Sequence, residues 1–253
     1  MLSEAEPLLV HYHIFKNAGT SIDRLLAECF GDAWTTFEGV HAHDVVSADR
    51  LRSFLAGRSG IRAVSSHLAR PPLPTPSSAP IVMLRHPIDR ARAVYQYVRR
   101  VPTAFGHHEA LRGFSNYVSW MLDEPGSDVV IQNYQTIHLS EASFRAPHIL
   151  DARATQADLA QAQTFLRSCQ VFGLVRNFTA FCRLIEARYR GMFPNLRLRP
   201  VRENASPDGA ATEAESVEAT REALGGRLFA RLVAANELDL ELYDFACSRF
   251  AEL

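Results

Sequence analysis

Lysine is almost missing from this chain. Among its 253 residues and 27 basic side chains there is one lysine, Lys16, and the remainder are arginines. Cysteine is scarce as well. Cys29, Cys169, Cys182 and Cys247 stand far apart with no C-x-x-C pair, which excludes a cysteine metal cluster and reads as reduced core residues in a reducing compartment. No apolar run approaches the roughly 18 residues a membrane-spanning helix needs. The first residues include Glu4 and Glu6 and no basic stretch, so no signal peptide is expected and the compartment is read as cytoplasmic. Net charge is −1, so no global field draws the chain to nucleic acid or to a membrane surface. The preference for arginine over lysine suits a GC-rich bacterial genome.

What is present is an ordinary globular composition, 47% hydrophobic and 22% charged, long enough for one α/β domain spanning residues 1–253. Short runs rich in strand formers occur at 8–14, 61–65, 81–84 and 171–175. Helical periodicity occurs at 20–30, 48–55, 87–100, 108–123, 156–169, 177–189 and in three segments between 214 and 251. A proline-rich loop covers 70–78, and 205–211 reads as a turn. Alternating strands and helices predict a three-layer α/β fold with a central parallel sheet. Ligands of such sheets bind beyond the carboxyl ends of the strands. Lys16, His67 and Arg85 all fall just past predicted strand ends.

The segment around Lys16 reads strand, tight small-residue turn, helix: Leu8 to Ile14, then Phe15-Lys16-Asn17-Ala18-Gly19-Thr20-Ser21, then a helix. The first N–H groups of a helix lack partners and its dipole favours an anion, so this is a phosphate-binding geometry. A glycine in the turn allows close backbone approach, and lysine adds a compact charge that arginine does not replace one for one. The order Lys-x-x-Gly-Thr-Ser departs from G-x-x-x-x-G-K-[ST], which argues against an ordinary ATP or GTP site. The alternatives are a solvated Lys16 at a strand end, and Thr20 and Ser21 as helix caps.

Three segments together resemble a known family. His13-Ile14-Phe15-Lys16-Asn17-Ala18-Gly19-Thr20-Ser21 resembles the 5′-phosphosulfate loop of carbohydrate sulfotransferases, H-I-P-K-T-A-G-T-S. The segment from Leu84 and Arg85 to Tyr95 resembles their 3′-phosphate segment, L-R-D-P-x-E-R-x-x-S-x-Y. Ser66-His67-Leu68 is similar to the segment carrying their proposed catalytic base. The nearest type is the heparan sulfate 2-O-sulfotransferase-like branch, and weaker similarity continues at 133–136, 171–175 and 239–246. Four positions depart from the pattern: Phe15 for proline, Asn17 for threonine, His86 for aspartate and Ala93 for a serine that bonds the 3′-phosphate. Loss of that last bond would cost roughly 1.5–3 kcal/mol of donor affinity.

The resemblance implies a nucleotide-kinase-like P-loop sulfotransferase fold. It implies the donor 3′-phosphoadenosine 5′-phosphosulfate (PAPS), the product adenosine 3′,5′-bisphosphate (PAP), no metal, and an acceptor hydroxyl on a carbohydrate or glycoconjugate. Lys16 would stabilise the departing phosphate. The amides of Asn17, Ala18, Gly19, Thr20 and Ser21 and the two hydroxyls would hold the 5′-phosphate. Arg85, with Ala93 nearby, would meet the 3′-phosphate, and Arg202 would lie where a loop closes over the nucleotide. For Arg85 the competing reading is an ion pair with Asp89. His67 would be the general base, against a structural histidine, with His41 and His43 beside Asp44 as rivals. Gln135 and Arg99 are weaker expectations for acceptor binding, against a solvated helix face. A PAPS- or PAP-binding protein with little or no turnover is the alternative function, motivated by Ala93.

Overall fold

A computed structural model describes residues 6–40, 44–124, 126, 128–199 and 212–253. Five strands form one all-parallel sheet: β1 (Leu8–Tyr12), β2 (Trp34–Thr36), β3 (Ala63–Ser66), β4 (Ser78–Leu84) and β5 (Gly173–Leu174), in the order β2-β3-β1-β4-β5. Helices lie between them: α1 (Gly19–Phe30), α2 (Ala48–Ala56), α3 (Pro87–Arg100), α4 (His107–Leu111), α5 (Phe114–Asp123), α6 (Tyr134–His138), α7 (Ala142–Arg145) and α8 (Gln156–Ser168). The chain continues through α9 (Phe178–Tyr189), α10 (Glu213–Ala234) and α11 (Glu237–Phe250). The expected three-layer α/β fold with a central parallel sheet is the one observed.

The period-2 alternation of a strand makes the layers. On β1, Leu8, Val10 and Tyr12 pack with Leu51 of α2, Leu159 and Leu166 of α8 and Leu242 of α11. Leu9 points the other way, to Ile22 and Leu26 of α1 and Phe181 and Ile185 of α9. A third cluster joins α3, α5 and α10 through Val94, Tyr117 and Leu232. No described helix is long and apolar enough to cross a membrane.

The structure extends β4 back to Ser78, beyond the expected start, and so includes Pro80 in a central strand. β5 pairs only with Met83 and Leu84, so the flank of β4 at Pro80 needs no donor. Two helices replace the one expected at 108–123, split where Gly113 has φ 120°. Two expected helices merge into α10 across a kink at Gly225, φ 71° and ψ 161°. The strand expected at 171–175 is two residues long. The turn expected at 205–211 lies outside the described residues.

Because all strands run the same way, the segments after β1, β2, β3 and β4 emerge on one edge. The chain order reverses across β1, which has β3 on one side and β4 on the other. Such a switch point is where an open parallel sheet offers a crevice.

Candidate active site

β1 carries its alternation past its end. His11 and His13 follow Leu9 onto the α1 side, and both meet one carboxylate there: His11 Nδ1 lies 2.7 Å from Asp23 Oδ1 and His13 Nδ1 lies 2.8 Å from Asp23 Oδ2. Burial pushes Asp23 up, but the bonds from the two imidazoles outweigh it and hold its carboxyl well below the usual carboxylate range. These three residues place potential ligand atoms within 4.8 Å of one another. Each Nδ1 faces a different carboxylate oxygen at hydrogen-bond distance, so hydrogen bonding accounts for the cluster.

The turn then doubles back. Lys16 and Ala18 are left-handed, φ 66° and 62°, while Asn17 between them and Gly19 after them are not. Alternating φ of this kind turns successive N–H groups into one concavity, a nest for an anion. Among the described residues the amides of Ala18, Gly19 and Thr20 have no hydrogen-bond partner. Ala18 is the N-cap of α1 and no side chain caps it, so Thr20 and Ser21 are not capping residues. The reason for glycine at 19 differs from the expected one. A Cβ there would lie 2.0 Å from His13 Cδ2, so the missing side chain makes room for the His13 ring under the turn.

Lys16 is half-buried, and its Nζ stands over Tyr97 and Phe15, 5.0 and 5.9 Å from the ring centroids. Burial first, then Arg85 and Arg100, lower its pKa. Among the described residues no carboxylate pairs with it. The turn is fastened to the end of β4. Asn17 Nδ2 donates to Met83 O at 2.8 Å and to Gln135 Oε1 at 2.7 Å, and Arg85 Nη1 donates to Lys16 O at 3.1 Å. Arg90, 1% exposed, donates to Phe15 O and to Val130 O.

His67 follows β3. Its ring lies flat on His13, centroids 3.7 Å apart, and its Nδ1 is 3.0 Å from Oε1 of Glu38, which follows β2. The His67 amide donates to the same carboxylate. Arg70 Nη1 donates to His67 O at 2.9 Å and holds the strand end from below. The sheet order explains these contacts: Glu38, His67, the Lys16 turn and Arg85 follow the neighbouring strands β2, β3, β1 and β4.

Several expected site residues are used differently. Gln135 is fully buried. Its Oε1 accepts from Asn17 and from Arg85 N, and its Nε2 donates to Arg85 O and Asp239, so it cannot face an acceptor. The Asn17 side chain likewise bonds inward, leaving its amide position in the turn as its link to an anion. Arg85 has the ion pair that was the competing reading, Nε to Asp89 Oδ2 at 2.5 Å. Ala93 is buried on the α3 face it shares with Asp89, one turn on, and Asp89 also accepts from Ser216. Arg99 is exposed in the last turn of α3, on the solvated face. Arg202, His41 and His43 lie outside the described residues. Reading the sequence missed Glu38 and Asp23. Glu38 carried no signal, being 29 residues from His67. Asp23 carried one: it lies 10 residues from His13, at the α1 position facing alternate residues of β1.

No family model matches the chain. It is 26% identical over 256 residues to an uncharacterized protein of Archaeoglobus fulgidus, covering 97% of this chain and 98% of that one. Among solved structures it is similar to a sulfotransferase from Alicyclobacillus acidocaldarius, with TM-score 0.42, 15% identity, and 96% and 99% of the two chains covered.

Proposed function

We propose that this protein transfers a sulfuryl group from PAPS to an acceptor hydroxyl on a carbohydrate. The observation that carries this reading is the convergence of three separate segments on one sheet edge. The Lys16 turn, with its unbonded amides, lies beside Arg85 just after β4 and the half-exposed His67 just after β3. These are the segments whose residues resemble the sulfotransferase pattern, and their meeting supports a single site.

In the proposed reaction the acceptor oxygen attacks sulfur as the S–O bond to the 5′-phosphate breaks. The bonding pair leaves with the phosphate as PAP, and the hydroxyl proton passes to His67 Nε2, the ring nitrogen not facing Glu38. Lys16 and the amides of Ala18, Gly19 and Thr20 hold the charge that grows on the departing phosphate. Arg85 meets the 3′-phosphate through Nη2, since Nε is taken by Asp89 and Nη1 by Lys16 O. No step uses a metal.

The Arg85–Asp89 pair favours one second reading, a protein that binds PAPS or PAP with little turnover, because part of the 3′-phosphate partner is already neutralised. Two measurements separate the readings. PAP at about 100 times its dissociation constant raises stability by roughly 2.7 kcal/mol under either reading. Under the first, sulfate moves from PAPS to a saccharide panel, and His67→Ala cuts that rate about 10²–10⁴-fold with PAP affinity retained. Stabilisation with no transfer to any acceptor would leave the binding protein, and stabilisation by ATP with Mg²⁺ alone would sink both.

A further inference from the structure

The contacts of Glu38 exceed those of a surface acid. It is 44% exposed, yet it takes both the backbone N–H of His67, at 3.0 Å, and the ring Nδ1, at 3.0 Å. A carboxylate only accepts, so Nδ1 carries the ring proton in this arrangement and Nε2 presents a lone pair. In a free histidine side chain the neutral ring carries its proton mainly on Nε2, so the contact selects a tautomer as well as an orientation.

We propose that Glu38 is a positioning residue for His67, fixing its Nδ1–H tautomer and stabilising the imidazolium formed when Nε2 takes the acceptor proton. This rests on the sulfotransferase reading only for the identity of the reaction; the pairing itself is geometric. The group has three independent holds. Glu38 sets the ring's hydrogen bond from the segment after β2. His13, bonded to Asp23, sets the ring plane from the segment after β1 by stacking at 3.7 Å with 27° between planes. Arg70 sets the main chain through His67 O. Proton gain by His67 places a cation against Glu38, with the Asp23 carboxylate behind His13. On the opposing side stand the Arg70 guanidinium, which donates to His67 O, and the buried His138. Glu38 is the one anion in direct contact with the His67 ring among the described residues.

The test uses the full-length protein. Long-range ¹H–¹⁵N spectra of the imidazoles, assigned against His67→Gln, read the tautomer directly without any substrate. The expected result is Nδ1–H at neutral pH in the unsubstituted protein and loss of that preference in Glu38→Gln. The plateau rate falls about 10- to 10²-fold, a part of what general-base catalysis supplies, with PAP affinity unchanged and Glu38→Asp partly restored. An Nε2–H tautomer in the unsubstituted protein overturns the proposal, and so does an Nδ1–H preference that persists in Glu38→Gln. Nδ1–H together with no sulfuryl transfer by the unsubstituted protein overturns the sulfotransferase reading while the pairing stands.

Discussion

Lys16 stands among like charges. Burial, then Arg85 and Arg100, lower its pKa, and aromatic faces, not acids, hold its ammonium. A dianion in the turn would relieve that repulsion, and the relief grows as charge moves onto a departing phosphate. Lys16→Ala is therefore expected to lower turnover about 10²–10³-fold and PAP affinity much less. Lys16→Arg is expected to fall well short of full rate, because the wide guanidinium fork cannot stand where Nζ stands between Tyr97 and Phe15. Steady-state kinetics beside calorimetry with PAP separate the two effects, and an unchanged rate in Lys16→Ala would remove the phosphosulfate assignment of the turn. Gln135 marks the limit of residue-level reading. Its side chain type fits an acceptor contact equally well, and only its burial among Asn17, Arg85 and Asp239 assigns it to structure.

At the scale of elements, the turn between β1 and α1 is a built object whose parts depend on one another. His13 fills the place of the Gly19 side chain, and Asp23 of α1 holds His13. Gly19→Ala therefore forces the imidazole out of its pocket, which breaks its bond to Asp23 and its stack on His67. Overpacking of this kind costs about 1–3 kcal/mol. His13→Ala empties the same pocket, so in the double variant Gly19→Ala costs much less than it does alone. Urea titrations of the four proteins measure this coupling. Additive losses would mean that Gly19 is needed for its backbone and not for the ring.

At the scale of the whole molecule, three histidines contribute to the acid sensitivity, His11 and His138 buried and His86 half-buried. His11, His86 and His138 have pKa values below the ordinary 6.5, in each case chiefly through burial. As pH falls below 6.5 the unfolded chain takes up protons that the folded chain refuses, so stability is full above that pH and declines toward the lowered values. The depressed carboxyl of Asp23 adds its own loss only below 3.8, and Asp239, raised by burial, acts in the opposite sense. His138→Gln is expected to flatten the fall in unfolding free energy between about pH 5 and 6.5 by up to about 1.4 kcal/mol per pH unit, one proton's worth. Urea midpoints across that range test it, and an unaltered slope would mean that His138 protonates in the folded state.

Elements whose signals are local are legible along the chain alone. The apolar, strand-forming run from Leu8 into a small-residue turn, Pro87 opening α3, and the position of a lone lysine before Gly19 are all written within a few residues. Lys16, His67 and Arg85 were legible as strand-end residues for the same reason. What those residues touch depends on the packing of the sheet. Strand order brings Glu38 to His67 and His67 to His13, because β2, β3 and β1 are neighbours in the sheet though far apart in the chain. It also fixed which polar side chains are spent internally: Gln135, Asn17 and Arg85 bond across 50 to 118 residues of separation. No periodicity encodes such partners, since hydrogen bonds between buried groups depend on where the packed layers place them and not on spacing along the chain.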